Sequence, residues 1–222
     1  MPPFVDRNDA GQQLAQLLAA FRGDDVVVLG LPGNGVRVAH GIAVRLRVRV
    51  DVVLIRPLTV TRPTEMTYGI LGEDGARIID STAIAHCAVH ATELADAELD
   101  HAESLRSSAI ACRGERARVD LYGRTVVITD DGLTDMRAIR DACMVATQLG
   151  AIRVVIAVPV ASHQTLGALR TYADKVVCPN PTPSAPVAEN WYQRIDATTE
   201  SDIACLLNTK PEPAQGCSEV SG

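Results

Sequence analysis

The chain is poor in aromatic residues, at 3%, and holds only two lysines, Lys175 and Lys210, among 21 basic residues. Its core must therefore be assembled from Val, Ala, Leu and Ile. Long apolar runs are missing too. The longest charge-free stretch, Val154 to Leu169, is interrupted by Pro159, Ser162, His163 and Gln164, and it falls short of the roughly 20 apolar residues that cross a bilayer, which excludes a membrane span there. The opening MPPFVDRNDA has neither a basic stretch nor an apolar core of the kind that directs secretion, so a cytoplasmic protein is expected. No C-x-x-C pair occurs among the six cysteines, and a chain of 222 residues does not need disulfide staples, so reduced, mostly buried thiols are expected. A net charge of −6 argues against a chain-wide attraction to nucleic acid, which requires Lys and Arg to displace counterions from phosphates. Gly-x-Ser-x-Gly, the P-loop and Gly-x-Gly-x-x-Gly are all absent, which removes the commonest signatures of hydrolases and nucleotide-binding turns.

What is present reads as an α/β chain. Val26–Leu31, Asp51–Ile55, Thr125–Thr129 and Arg153–Val158 are short, β-branched and almost continuously apolar, the pattern of strands buried on both faces. Between them lie helical patterns over Asp6–Phe21, Val36–Leu46 and Thr134–Leu149. Alternation of this kind predicts a parallel sheet covered by helices on each side. Ser162–Tyr172 reads as a further helix with Ser162 as its N-cap, and Lys175–Cys178 as a last short strand. One segment departs from the alternation. Thr67–Leu71 and Ala76–Ile79 flank a Gly72 to Gly75 turn as an antiparallel hairpin, followed by an alanine-rich helical stretch from Ser81 to about Ala111 and a charged loop over Arg113–Arg118. A single domain over residues 1–208, with an insertion at about 67–118 and a disordered tail at 209–222, is the expected organisation.

In open parallel sheets, ligands sit beyond the carboxyl ends of the strands. Two loops at such positions have suitable chemistry. Gly33 and Gly35 flank Asn34 where a strand turns into a helix, and exposed amides at a helix start seat anions. The same glycines also suit plain close packing. Asp130 and Asp131 end a buried strand; adjacent carboxylates repel, and burying them unpaired is costly, so an open cleft with ribose hydroxyls or Mg²⁺ would suit them. Capping of the next helix is the alternative.

Taken in order, DRNDAGQQLA, VVLGLPGNGVRVA, DVVLIRPL, the region of Glu65 and Gly69, GRTVVITDDG, RVVIAVPVAS and ADKVVC resemble the type I phosphoribosyltransferases, in particular a bacterial subgroup. The likeness covers Phe4 to about Trp191–Tyr192. It implies a parallel sheet flanked by helices, with a hairpin and helical insertion and a small C-terminal hood. It also implies transfer of ribose 5-phosphate from phosphoribosyl pyrophosphate (PRPP) to an acceptor such as a nucleobase, with release of pyrophosphate and with Mg²⁺ as cofactor. A catalytically inactive protein of this fold that binds a nucleotide or ribose phosphate, or acts as an assembly partner, is the alternative. By the resemblance, Asp130 and Asp131 bind the ribose hydroxyls and organise Mg²⁺, Gly132, Leu133 and Thr134 continue the 5′-phosphate loop, and Gly33, Asn34 and Gly35 contact pyrophosphate. Arg56, Glu65, Arg137, Trp191 and Tyr192 are further candidates, the last two in the hood over the acceptor. The expected partners are a small ribose-phosphate or nucleotide ligand and a second copy of the chain in a dimer, with neither nucleic acid nor membrane.

Three departures weaken the phosphate sites. Gly33-Asn34-Gly35 stands where these proteins usually carry Arg-Gly-Gly, so an arginine is missing, Pro57 stands where they carry lysine, and the stretch after Asp131 is shortened and places Asp135 at the start of a helix, where its charge competes with a phosphate for the positive helix end. Separately, His86 and His90 are four residues apart on an expected helix, a spacing that holds Zn²⁺ only when a third ligand converges, and no third ligand is evident. Arg45, Arg47 and Arg49 alternate with apolar residues and read as the solvated edge of a helix end entering a strand.

Overall fold

The computed structural model describes residues 2–23, 25–60, 65–87, 89–133 and 136–209. It opens with α1 (Arg7–Leu17), whose N-cap Asp6 accepts a hydrogen bond from the Asp9 amide, a saturated start for a helix that would otherwise leave donors exposed. Then follow β1 (Val26–Gly30), α2 (Asn34–Leu46) and β2 (Arg49–Val52).

The inserted segment contains β3 (Ile55–Val60), β4 (Met66–Gly72), β5 (Arg77–Ile79), α3 (Ser81–Cys87) and α4 (Ala91–Arg113). The chain then runs through β6 (Thr125–Thr129), α5 (Arg137–Gln148), β7 (Arg153–Ala157), β8 (Val160–Ser162), α6 (His163–Leu169), β9 (Lys175–Val177), β10 (Asn180–Thr182) and α7 (Glu200–Asn208). Five strands form one parallel sheet in the order β2-β1-β6-β7-β9. Alternate residues of each strand enter opposite cores. Val26 and Val28 pack with α1 and α2 residues such as Leu14 and Ile42, whereas Val27, Leu29 and Ile128 pack with Ile139 and Ala142 of α5. This two-sided burial is the physical reason that the strand sequences are apolar throughout.

The expected hairpin is β4 with β5, joined by antiparallel pairing of Gly69 with Ile79 and Leu71 with Arg77. The second sheet begins earlier than the sequence pattern indicates. Asp51–Ile55 is not one strand: the Val53 amide still bonds the Gly30 carbonyl, after which the chain leaves the parallel sheet and Ile55 starts β3. β3 is an edge strand in the order β3-β4-β5, a position that tolerates Pro57 because an outward-facing amide is not required there. The helical stretch also divides, since α3 ends at Cys87 and α4 starts at Ala91. His86 and His90 therefore do not share one helix face, and no group of three or more metal-binding side chains occurs among the described residues. Arg113 is not in an exposed loop. It ends α4 and is buried against Asp51 and Glu73. The five described cysteines are free, and no helix among the described residues is long and apolar enough to cross a membrane. Residues 210–222, which hold nearly all of the expected tail, lie outside the described ones.

Candidate active site at the ends of β1 and β6

Strands β1 and β6 are neighbours, with Gly30 opposite Thr129, so the glycine-rich loop and the acidic loop leave the sheet side by side. A bond from the Leu31 amide to the Thr129 carbonyl, 3.0 Å long, carries the pairing one step past the strand ends. Gly33 then turns the chain with φ +92°, which a residue with a side chain rarely adopts. Gly35 lies in the first turn of α2 against the acidic pair. A Cβ there would sit 3.0 Å from Asp130 Oδ1 and 3.2 Å from the Thr129 carbonyl, so glycine is what lets the helix start approach the carboxylate.

The two aspartates have different environments. Asp131 Oδ2 accepts from Arg7 Nε at 3.0 Å and forms an ion pair with Nη2, also at 3.0 Å. Arg7 is 2% exposed, its guanidinium lies over the Tyr192 ring at 4.7 Å, and the Tyr192 hydroxyl donates to the Asp131 carbonyl. The Tyr192 hydroxyl is held protonated, its pKa raised by burial and then by Asp131. Asp130 makes no such ion pair among the described residues; its Oδ1 accepts from the Asp131 amide at 2.9 Å. Burial, and secondarily the neighbouring Asp131 charge, push the Asp130 carboxyl up to about 7, against the pull of that amide and of Arg7. An open cleft shared by both carboxylates is thus not what the chain builds: Asp131 is committed to Arg7, and Asp130 has no ion pair among the described residues.

Arg7 was not legible as a site residue from the motifs, yet a signal exists. It falls on the same helical stripe as Ala10 and Leu14, all buried, and an arginine on an apolar stripe needs a buried acceptor. Contacts between the segment before α1 and residues 191–194 hold this arrangement in place. The Phe4 amide donates to the Trp191 carbonyl, the Phe4 carbonyl accepts from the Gln193 amide, and Asp6 pairs with Arg194. Trp191 and Tyr192 pack against Phe4 and Ala10, so Tyr192 supports Asp131 from below.

Other candidates are placed elsewhere. The Leu133 amide donates to the Val160 carbonyl at 3.0 Å, and both Gly132 and Leu133 are buried. Asn34 Oδ1 accepts from the Thr198 hydroxyl at 2.8 Å, and Thr198 accepts from Arg37 Nε at 2.7 Å. Arg56 reaches Ser104 and Ser108 of α4 and the Ile55 carbonyl. Glu65 is exposed just before β4, and Arg137 is exposed as the first residue of α5. Thr134 and Asp135 lie outside the described residues.

Comparison with known proteins agrees with this architecture. The family model described as the phosphoribosyl transferase domain matches residues 8–194. The chain belongs to the phosphoribosyl transferase family. Two curated relatives from strains of Mycobacterium tuberculosis, each named "Putative phosphoribosyl transferase", are 37% identical over 209 residues. That alignment takes in 94% of this chain and 47% of theirs, so this phosphoribosyl transferase domain spans about half the length of the curated relatives it matches. The crystal structure of TT1426 from Thermus thermophilus superposes with a TM-score of 0.80 at 32% identity, covering 93% of this chain and 98% of that one.

Proposed function

We propose that the protein binds PRPP with Mg²⁺ at the carboxyl ends of β1 and β6 and transfers its ribose 5-phosphate to an acceptor, releasing pyrophosphate. The observation that carries this reading is the contact between Asp130 and Gly35, which sets a carboxylate suited to ribose hydroxyls beside the amide-bearing start of α2. In this reading Asp130 orients the sugar, and the amides of residues 33–35 hold the departing pyrophosphate, with leaving-group stabilisation as the main source of rate. Asp131 is a positioning residue, its carboxylate held by Arg7. The donor set fits Mg²⁺ only as a passenger. Asp130 offers a hard oxygen, but no protein cluster of three metal-binding side chains occurs among the described residues, so phosphate oxygens of the ligand must complete the shell. When bound, the ion neutralises charge on the pyrophosphate.

The second reading, a binder without turnover, draws on two placements. Asn34 stands in the pyrophosphate loop without a positive charge and bonds Thr198, and the Arg56 guanidinium is engaged on α4. Calorimetric titration of the protein with PRPP and Mg²⁺, native and with Asp130→Asn, tests both readings. Native binding lost in the variant supports the site. Pyrophosphate release on adding purine or pyrimidine bases then separates enzyme from binder. Absence of any binding at millimolar PRPP would falsify the proposed ligand.

A further inference from the structure

At the amino-terminal end of the parallel sheet, opposite the acidic pair, the end of α2, the start of β2 and the end of α7 enclose a cavity of about 340 Å³. Small-molecule sites start at roughly this size, about 300 Å³. Arg47, Arg49 and Arg116 line it together with Val44, Val48 and Leu207, and among the described residues no Asp or Glu does. That is a concentration of positive charge in a chain whose net charge is −6.

Structural duties account for only part of it. Arg116 donates to the Leu207 and Val50 carbonyls, so it caps the end of α7. The carboxyl ends of α2 and α7 each present roughly half a negative charge, which one arginine offsets. Arg47 and Arg49 are exposed and have no hydrogen-bond or ion-pair partner for their side chains among the described residues. His40 also lines the cavity, but burial lowers its pKa and keeps the imidazole neutral, so the charge belongs to the arginines. Arg47 holds a left-handed backbone at φ 60°. Val44 leaves an apolar wall 40% exposed beside these cations.

We infer that this cavity is a second ligand site, which takes a small anion with an apolar body, the phosphate or carboxylate between Arg47 and Arg49 and the body against Val44, Val48 and Leu207. The site is separate from the proposed PRPP site and does not depend on turnover.

The test uses the anionic aromatic dye 8-anilinonaphthalene-1-sulfonate, followed by fluorescence on the folded full chain. Saturable one-to-one binding is expected, displaced by octyl phosphate or octanoate; whichever displaces at lower concentration identifies the preferred head group. An Arg47→Gly/Arg49→Gln variant removes both charges, and glycine suits the left-handed backbone at residue 47. Its dye affinity should drop at least about tenfold, since two charge-assisted contacts to the head group are lost. Its melting temperature reports that the fold is intact, and single Arg49→Gln serves should the double variant melt early. Unchanged affinity in a folded variant overturns the inference. So does displacement of the dye by PRPP with Mg²⁺, which places it at the ends of β1 and β6 instead.

Discussion

Two buried arginine–aspartate pairs hold this molecule together, and they are built differently. Arg113 and Asp51 form a closed set. Asp51 is fully buried; Oδ1 accepts from Arg113 Nε at 2.6 Å and from the Val52 amide at 2.8 Å, and Oδ2 accepts from the Val119 amide at 2.8 Å. The rest of the guanidinium goes to Glu73 and the Val52 carbonyl. Arg7 and Asp131 form an open set. Arg7 Nη1 is buried with no hydrogen-bond partner among the described residues, and the adjacent Asp130 is a carboxyl pushed up to about 7 by burial and by Asp131. A saturated buried network fixes structure, while an incompletely satisfied one with a displaced pKa is where a ligand can act.

The sharpest way to break the comparison is Arg113→Met, which leaves Asp51 and Glu73 without their cation. Loss of one partner of a buried pair costs about 3–5 kcal/mol, and urea unfolding should show a loss at the upper end of that range. Arg7→Met should cost somewhat less, about 2–4 kcal/mol, because Asp131 retains slight exposure. It should also raise the Asp130 pKa further, since Arg7 is among the groups that lower it; carboxyl carbon NMR against pH reads that shift. Equal pKa values in native and Arg7→Met proteins would separate the two aspartates that the structure couples.

Asp130→Asn is expected to act in the opposite direction. A carboxyl whose folded pKa is raised to about 7 contributes stability fully present below the unfolded value near 4 and lost as pH rises through 7. The neutral amide escapes that loss. The variant should therefore match the native protein near pH 4 and exceed it increasingly toward pH 7, with a gain of up to about 4 kcal/mol that levels above, or several degrees in melting temperature. A gain independent of pH contradicts the assignment. Tyr192→Phe is the mildest change, removing the donor to the Asp131 carbonyl and costing about 1–2 kcal/mol. No corresponding variant near Asp51 should alter the Asp130 pKa.

The parallel core was legible because every strand buried on both faces must be apolar on both faces, and VVVLG and TVVIT advertise it. The β4–β5 hairpin was legible from its glycine turn. β3 was hidden because DVVLIRPL runs through the change of sheet without a break, and only the departure of the backbone after Val53 divides it. The acidic pair was legible as a pair but not as two unequal groups. That inequality comes from Arg7, 124 positions away in sequence, and from Tyr192, brought together by the pairing of Phe4 with Tyr192. Local periodicity carries no record of such contacts. The burial of Arg113 is hidden for the same reason, since its acceptors lie on β2 and beyond β4.

The central claim is that Asp130 is the carboxylate available to a ligand, and that it takes up or gives off its proton near neutrality. Calorimetric titration with PRPP and Mg²⁺ at pH 7, repeated in two buffers of different ionisation enthalpy, tests it most directly. Binding of a cation-bearing ligand to a carboxyl titrating near 7 should release about half a proton in the native protein, while Asp130→Asn, which lacks the carboxyl, should show no binding heat. Binding with no proton release in the native protein, or equal release in both, contradicts the claim.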